Sequence, residues 1–292
     1  MTSKPEVPAW LGRALALARQ PPTQARWLLE IDGRIVGSVL PSDARWIAAL
    51  PGFALEDELL TLQPACGFDA SAALAQVAAA LRDAGRAPHW RNELLPVCAD
   101  DGTRVATLER ACVRSLGVAT RAVHLNGYTP DGRMWLQQRA HNKANDPGMW
   151  DTLVGGMIAL EPLGEALRRE TFEEAGLELA ALRSLVRRHS LRFERPVEGE
   201  GWLSDGSPST GWLSETIAVF DAIIPEGMTP ENQDGEVAQF RCVSLGELEA
   251  LLDASVLTME AALVIAESLA HREHASLSEI AKLKIANLYT GI

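Results

Sequence analysis

Residues 169–177 read Arg-Glu-Thr-Phe-Glu-Glu-Ala-Gly-Leu, and they follow a glycine pair, Gly155-Gly156, and a lone Glu161. Leu163, Leu167 and Thr171 share one helical face with Ala166 beside them, which predicts a helix from about Pro162 to Ala175, closed by Gly176. On that helix Glu170, Glu173 and Glu174 stand at i, i+3 and i+4, so their carboxylates converge on one patch. Like charges at this spacing repel by about 0.2–0.5 kcal/mol per pair, and Arg169 offsets only part of that. Such a patch is either a solvated acidic face or a seat for a hard divalent cation. A cation of that kind binds carboxylate oxygens and keeps waters that a substrate's phosphates can replace. Three glutamates alone favour the solvated face.

The surrounding spacing favours the cation. Gly155, Glu161, Arg169-Glu170, Glu173-Glu174 and Gly176-Leu177 fall in one register, with five residues after Gly155 and seven after Glu161. The pattern resembles the box of the Nudix hydrolases, Gly-x5-Glu-x7-Arg-Glu-U-x-Glu-Glu-x-Gly-U, where U is a bulky aliphatic residue. It departs from the family in two places. Thr171 stands where an aliphatic residue is usual, and the glycine loop "GGMIALEP" is one residue shorter than the common form, with Pro162 after the glutamate. Proline is tolerated in a first helical turn.

The resemblance implies an α/β fold, an α/β/α sandwich on a mixed sheet. It also implies Mg2+ or Mn2+ as cofactor and hydrolysis of a small-molecule diphosphate. It makes Glu170, Glu173 and Glu174 metal ligands and has Gly155 and Glu161 support the metal through the loop. Arg169 would orient a glutamate by a charge-assisted hydrogen bond. Metal-assisted hydrolysis rests on neutralising the diphosphate and acidifying a bound water.

Neighbouring segments add candidates. "WLQQRAHNKANDPGMWDTLVGG" resembles the phosphate-side segment of several Nudix proteins and of isopentenyl diphosphate isomerase. In an acidic chain Arg139 and Lys143 are candidates to hold a diphosphate, and Trp150 is a weaker candidate for substrate contact. Two glutamates outside the box could serve as base or extra ligand: Glu236 before a strand, which is preferred, and Glu215 at a strand start. "GMWDTLVGGM", "NQDGEVAQF" and the N-terminal "IDGRIVGSVLP", "HWRNELLPV" and "LERACVRSLG" resemble a two-domain Nudix group related to the Nudix part of fungal thiamine pyrophosphokinase fusions. That resemblance implies cleavage of thiamine diphosphate, or its oxidised analogues, to the monophosphate. The alternatives are another nucleoside-diphosphate substrate of the ADP-ribose kind and a non-catalytic ligand-sensing module. Such modules usually lose box glutamates, and none is lost here. An isomerase on the same scaffold is disfavoured because no cysteine lies between Cys112 and Cys242.

The elements that must position these residues can be outlined from pattern. Residues 9–19 read as a short amphipathic helix. "RWLLEIDGRIVGSVL" reads as a hairpin at Asp32-Gly33, residues 43–50 as a short helix, "ELLTLQP" as a strand and residues 69–85 as a helix ended by Gly85. A hairpin at Asp101-Gly102 and a helix-like "LERACVRSLG" complete a first α+β section. The second section opens with strands about Asp131-Gly132. After the box come strands at 183–193, 215–224 and 236–243, a helix capped by Ser244 with Glu247, and helices near 257–271 and 276–288. The Gly-, Ser- and Pro-rich "ERPVEGEGWLSDGSPSTGW" reads as a mobile surface loop. The expected domains are therefore 1–117, a smaller accessory α+β domain, and 118–292, the Nudix domain.

The net charge of −12 argues against nucleic acid or an anionic membrane as main partner. The four cysteines, Cys66, Cys98, Cys112 and Cys242, form no CxxC pair, which fits small buried residues in a reducing compartment. No HExxH or HxxxH pair supports a zinc site. No apolar run approaches the length of a membrane span, so a cytoplasmic location is expected. The first domain would either complete the pocket or pair two copies as a homodimer.

Overall fold

Asp32 and Gly33 both adopt positive φ, 50° and 74°, the backbone that a two-residue hairpin turn requires. In the computed structural model, which describes residues 7–63, 69–87, 89–202, 208–272, 277 and 279–290, they join β1 (Trp27–Ile31) to β2 (Arg34–Val39). Two further strands, β3 (Phe53–Glu56) and β4 (Leu59–Leu62), complete a four-stranded sheet of order β2-β1-β4-β3. Only β1 and β4 in it run parallel. α1 (Ala9–Ala18) precedes this sheet and α2 (Pro41–Ile47) lies within it in sequence. α3 (Ala70–Asp83) follows, capped by the Asp69 carboxylate accepting from the Ser71 N–H. α3 packs on the hairpin of β5 (Leu94–Cys98) and β6 (Arg104–Glu109). The expected helix at "LERACVRSLG" is replaced by the end of β6 and a single 3-10 turn, Arg110–Cys112. Cross-strand bonds to β5 hold its first residues extended.

The larger sheet has nine strands. β7 (Thr120–Tyr128), β8 (Met134–Arg139), β9 (Trp150–Asp151) and β10 (Val154–Met157) come before α4 (Leu163–Ala175). β11 (Arg183–Arg187), β12 (Ser190–Trp202), β13 (Pro208–Ile223) and β14 (Val237–Val243) follow it. The chain closes with α5 (Leu245–Asp253), α6 (Met259–Ala270), α7 (Glu279–Ala286) and β15 (Tyr289–Thr290). The path runs β14-β8-β7-β13-β12-β15, with β10 on β7, β11 on β13 and β9 on β8. β7 is antiparallel to β8 and β10. It is parallel to β13, since Thr120 meets Ser214 at one end and Tyr128 meets Ile224 at the other. The sheet is therefore mixed, and the fold is α/β.

Alternate residues of β7 serve two faces, as strand geometry dictates. Val123 and Leu125 join a buried cluster with Ala166, Leu167 and Ala175 of α4 and with Ala218, Phe220 and Ala222 of β13. Asn126 and Tyr128 face the other way. Asn126 donates to Asp221, and the Tyr128 hydroxyl lies 2.7 Å from Ser268 of α6. Helices thus cover both faces of β7.

Two findings depart from the expected organisation. The segment 194–212, expected to be a loop, is mostly paired strand: β12 runs to Trp202 and β13 begins at Pro208, while 203–207 lie outside the described residues, as does Cys66. The chain also forms two compact units that cross the expected boundary: Gln20–Thr120 with Phe193–Glu215, and Met1–Arg19 with Arg121–Arg192 and Thr216–Ile292. α1 packs on α5, α6 and α7, which is why the first residues group with the C-terminal helices. Among the described residues no helix is long and apolar enough to cross a membrane.

Candidate active site

α4 owes its orientation to its buried stripe. Ala166, Leu167 and Ala175 enter the core, and Thr171, fully buried, donates its hydroxyl to the Leu167 carbonyl at 2.6 Å. A hydroxyl at this otherwise aliphatic position is therefore satisfied within the helix itself. Gly176 ends the helix with φ 63°, and a Cβ there would lie 2.7 Å from the Glu231 carbonyl. The same stripe carries Glu170 and Glu174 inward, leaving 9% and 3% of each exposed. Glu173 stays half-exposed.

Arg169 gathers the other carboxylates. Its guanidinium donates to Glu161 at 2.6 Å, Glu170 at 2.8 Å, Glu173 at 2.9 Å and the Met157 carbonyl at 3.2 Å. Partial burial opposes the Arg169 charge, but these carboxylates outweigh it and raise its pKa. Partial burial likewise works against Glu161, yet the Arg169 hydrogen bond holds that carboxyl below its usual range.

Glu174 is held differently. Its Oε2 accepts the Gly155 N–H at 2.8 Å and the Gln137 amide at 2.9 Å. Among the described residues no Lys or Arg pairs with it. Burial pushes it up to about 8, and the charges of Glu170 and Asp151 add to the effect. Burial also pushes Glu170 up to about 7; Arg169 opposes this, and the charges of Glu173 and Glu236 reinforce it.

The glycine loop is in part a strand. Gly155 and Gly156 belong to β10, paired with His124 and Val123 of β7. A Cβ on Gly156 would lie 1.9 Å from the Glu170 carboxyl carbon, so any side chain there must displace that carboxylate. The loop, one residue short, still brings its backbone against both buried glutamates.

An all-oxygen donor set, with Glu170 and Glu174 buried and Glu173 half-exposed, fits a hard divalent ion such as Mg2+ or Mn2+. Gln137 Oε1 adds a buried acceptor with no donor.

The structure brings together Glu161, Arg169, Glu170, Glu173, Glu174 and Gly155. Lys143 and Glu236 form an ion pair with each other, and the Glu236 charge is felt at Glu170. Arg139 is engaged by Asp151 at 3.2 Å and by the Asn145 carbonyl. Trp150 is half-buried, and its backbone bonds to Val256 and Thr258. Glu215 accepts from the Thr120 hydroxyl at 3.0 Å.

Sequence reading missed Gln137 and Asp151, cross-strand partners on β8 and β9, and His124, which lies 2.9 Å from the Thr152 hydroxyl. The one signal was polarity inside otherwise apolar strands: Gln137, Asp151 and His124 are all buried. That pattern departs from apolar-in, polar-out alternation.

Residues 118–261 match the family model of the NUDIX domain. The chloroplastic Nudix hydrolase 20 of Arabidopsis thaliana is 31% identical over 189 residues, covering 63% of this chain and 48% of the relative. Nudix hydrolase 24, chloroplastic, of the same plant is 29% identical over 192 residues, covering 60% and 47%. An isopentenyl-diphosphate Delta-isomerase of Leifsonia xyli subsp. xyli is 32% identical over 111 residues, covering 37% and 60%. The chain spans about half the length of the two plant relatives.

Proposed function

We propose that the chain, whose residues 118–261 match the family model of the NUDIX domain, is a divalent-cation-dependent hydrolase of a diphosphate linkage in a small molecule. The observation that carries this reading is Glu174, a carboxylate almost wholly buried, held by a backbone N–H and an amide, and pushed up to about 8 by burial. Glu170, Glu173 and Glu174 would hold the ion, which when bound neutralises the diphosphate and acidifies a water. Arg169 keeps Glu161, Glu170 and Glu173 on one side of the helix. Gly155 and Gln137 fix Glu174 through Oε2. Arg139 and Lys143 bring positive charge for the phosphates, each exchanging its present carboxylate partner for a substrate oxygen. Glu236, released from Lys143 in that exchange, accepts the proton of the attacking water. Its field at Glu170 supports it over Glu215.

The finer reading is thiamine diphosphate or its oxidised analogues, cleaved to the monophosphate. It is supported by the resemblance of N-terminal segments such as "IDGRIVGSVLP".

A screen that separates and quantifies the reaction products, run with Mg2+ or Mn2+ over thiamine diphosphate, its oxidised forms, ADP-ribose, dinucleotides and nucleoside triphosphates, tests both levels. Turnover of a diphosphate that is lost in Glu174→Gln is expected, with the thiamine compounds turned over fastest. ADP-ribose in first place would keep the hydrolase and reject the thiamine reading, and no turnover of any diphosphate sinks the proposal. Glu236→Gln with full activity would reject Glu236 as base, and Glu215→Gln is the parallel control.

A further inference from the structure

A second cluster of ligating side chains lies outside the box. Glu267 of α6 is completely buried, and two imidazole nitrogens, a backbone N–H and a phenol hydroxyl converge on its carboxylate. His189 Nδ1 lies 2.8 Å from Oε1, His271 Nε2 lies 3.0 Å from the same oxygen, and the His189 backbone N–H donates to it at 3.2 Å. The Tyr289 hydroxyl donates to Oε2 at 2.6 Å. The ligand atoms of His189, Glu267 and His271 all lie within 4.8 Å of one another.

Three separate parts of one compact unit build this cluster. His189 sits between β11 and β12. Glu267 and His271 are one helical turn apart, His271 being the C-cap residue of α6. Tyr289 belongs to β15, whose pairing with Leu191 of β12 places the phenol beside His189. The His189 and Tyr289 rings stack at 4.1 Å, and the His271 ring centroid is 5.3 Å from that of His189. The stack and the hydroxyl bond fix both His189 and the carboxylate, the kind of support that outer groups give to metal ligands. Both imidazoles reach solvent, with 52% and 35% of their side chains exposed, while the carboxylate is sealed. An ion has a path in and the anionic ligand is held ready.

We propose that His189, Glu267 and His271 form a site for a borderline divalent transition ion such as Zn2+, separate from the all-carboxylate box. Two imidazoles and one carboxylate are a donor set that suits Zn2+, and one coordination position would remain for water. Mg2+, which favours oxygen ligands, does not suit it. The ion requires neutral imidazoles, so its affinity falls as they protonate. Bound there, it ties the β11–β12 connection and the C-cap of α6 to one carboxylate.

The test is Co2+ titration of the full, chelator-treated chain, followed by visible absorption. The expected result is a one-equivalent signal that Zn2+ displaces and millimolar Mg2+ does not. Glu173→Gln, in the box, should keep that signal, whereas His189→Ala and His271→Ala each weaken binding at least tenfold. Zn2+ should also raise the Tm of the parent chain and of Glu173→Gln but not that of either histidine variant. The two histidines are exposed enough that at least one variant is expected to fold, which circular dichroism checks. Co2+ binding at parent affinity in both histidine variants overturns the site. So does loss of the whole signal in Glu173→Gln, or no signal in the parent chain.

Discussion

Two buried carboxylates, one in each compact unit, show how this chain treats charge in its interior. Asp43 of α2 is 1% exposed and is paired with the buried guanidinium of Arg86. Nearby, Arg26 donates to the Ser38 side chain and to the Ser115 and Thr210 carbonyls; burial lowers it to about 10, partly offset by the charge of Asp43. Glu174 of α4 is 3% exposed and, among the described residues, has an N–H and an amide for partners but no Lys or Arg. The first carboxylate has its counter-charge built into the fold, and the second lacks one. A buried ion pair belongs to the architecture, whereas a buried acid without a counter-charge is the kind of perturbed group that clusters at functional sites.

Neutralising each acid breaks or sharpens that contrast. Asp43→Asn leaves Arg86 buried without its counter-charge and is expected to cost about 3–5 kcal/mol of stability, read by urea denaturation. A loss below about 1 kcal/mol would remove the architectural role assigned to the pair. Glu174→Gln replaces the other buried acid and has the opposite outcome. The fold should hold or gain in stability, while diphosphate turnover falls by about 100-fold or more, at least the scale of losing a supporting group at a metal site.

Gly156→Ala forces a methyl group against Glu170. It should cost about 1–3 kcal/mol and lower turnover, measured with the same substrate.

The smallest effect is the pH response of the metal-free chain. Glu170 and Glu174 have folded-state pKa values of about 7 and about 8, above the ordinary 4.5. The folded state therefore binds more protons than the unfolded state between about 4.5 and 8, and stability falls as pH rises through that window. A drop in Tm of at least about 2–4 °C, equivalent to about 1 kcal/mol, is expected from pH 5 to pH 8.5. Glu174→Gln should flatten the curve and Mg2+ should restore the loss. A Tm that rises over that range would contradict the reading of Glu174 as a carboxylate without a counter-charge.

The box helix was legible in the sequence because its signals are local. Spacing puts the glutamates on one face, Gly176 ends the helix, and the Ser244–Glu247 capping box of α5 lies within four residues. The 194–212 segment misled because Gly, Ser and Pro predict loops by composition, whereas its strands are held by pairing with neighbours. β10 was illegible for a related reason: Val-Gly-Gly-Met has too little side-chain pattern, and β7 alone makes it a strand.

The sequence by itself determined the chemistry on offer at the box, namely the types, number and helical spacing of the carboxylates and the arginine among them. It also determined the hairpins at Asp32-Gly33 and Asp131-Gly132, since turn preferences act over a few residues. Only the tertiary structure decided which carboxylates lost their water, that Gln137 and Gly155 would hold Glu174, and that Glu215 would bond to Thr120. It alone brought His189 to Glu267, 78 residues further along the chain. Burial and cross-strand neighbours depend on the whole path of the chain, and it is burial that turns a patch of ordinary glutamates into acids with shifted protons.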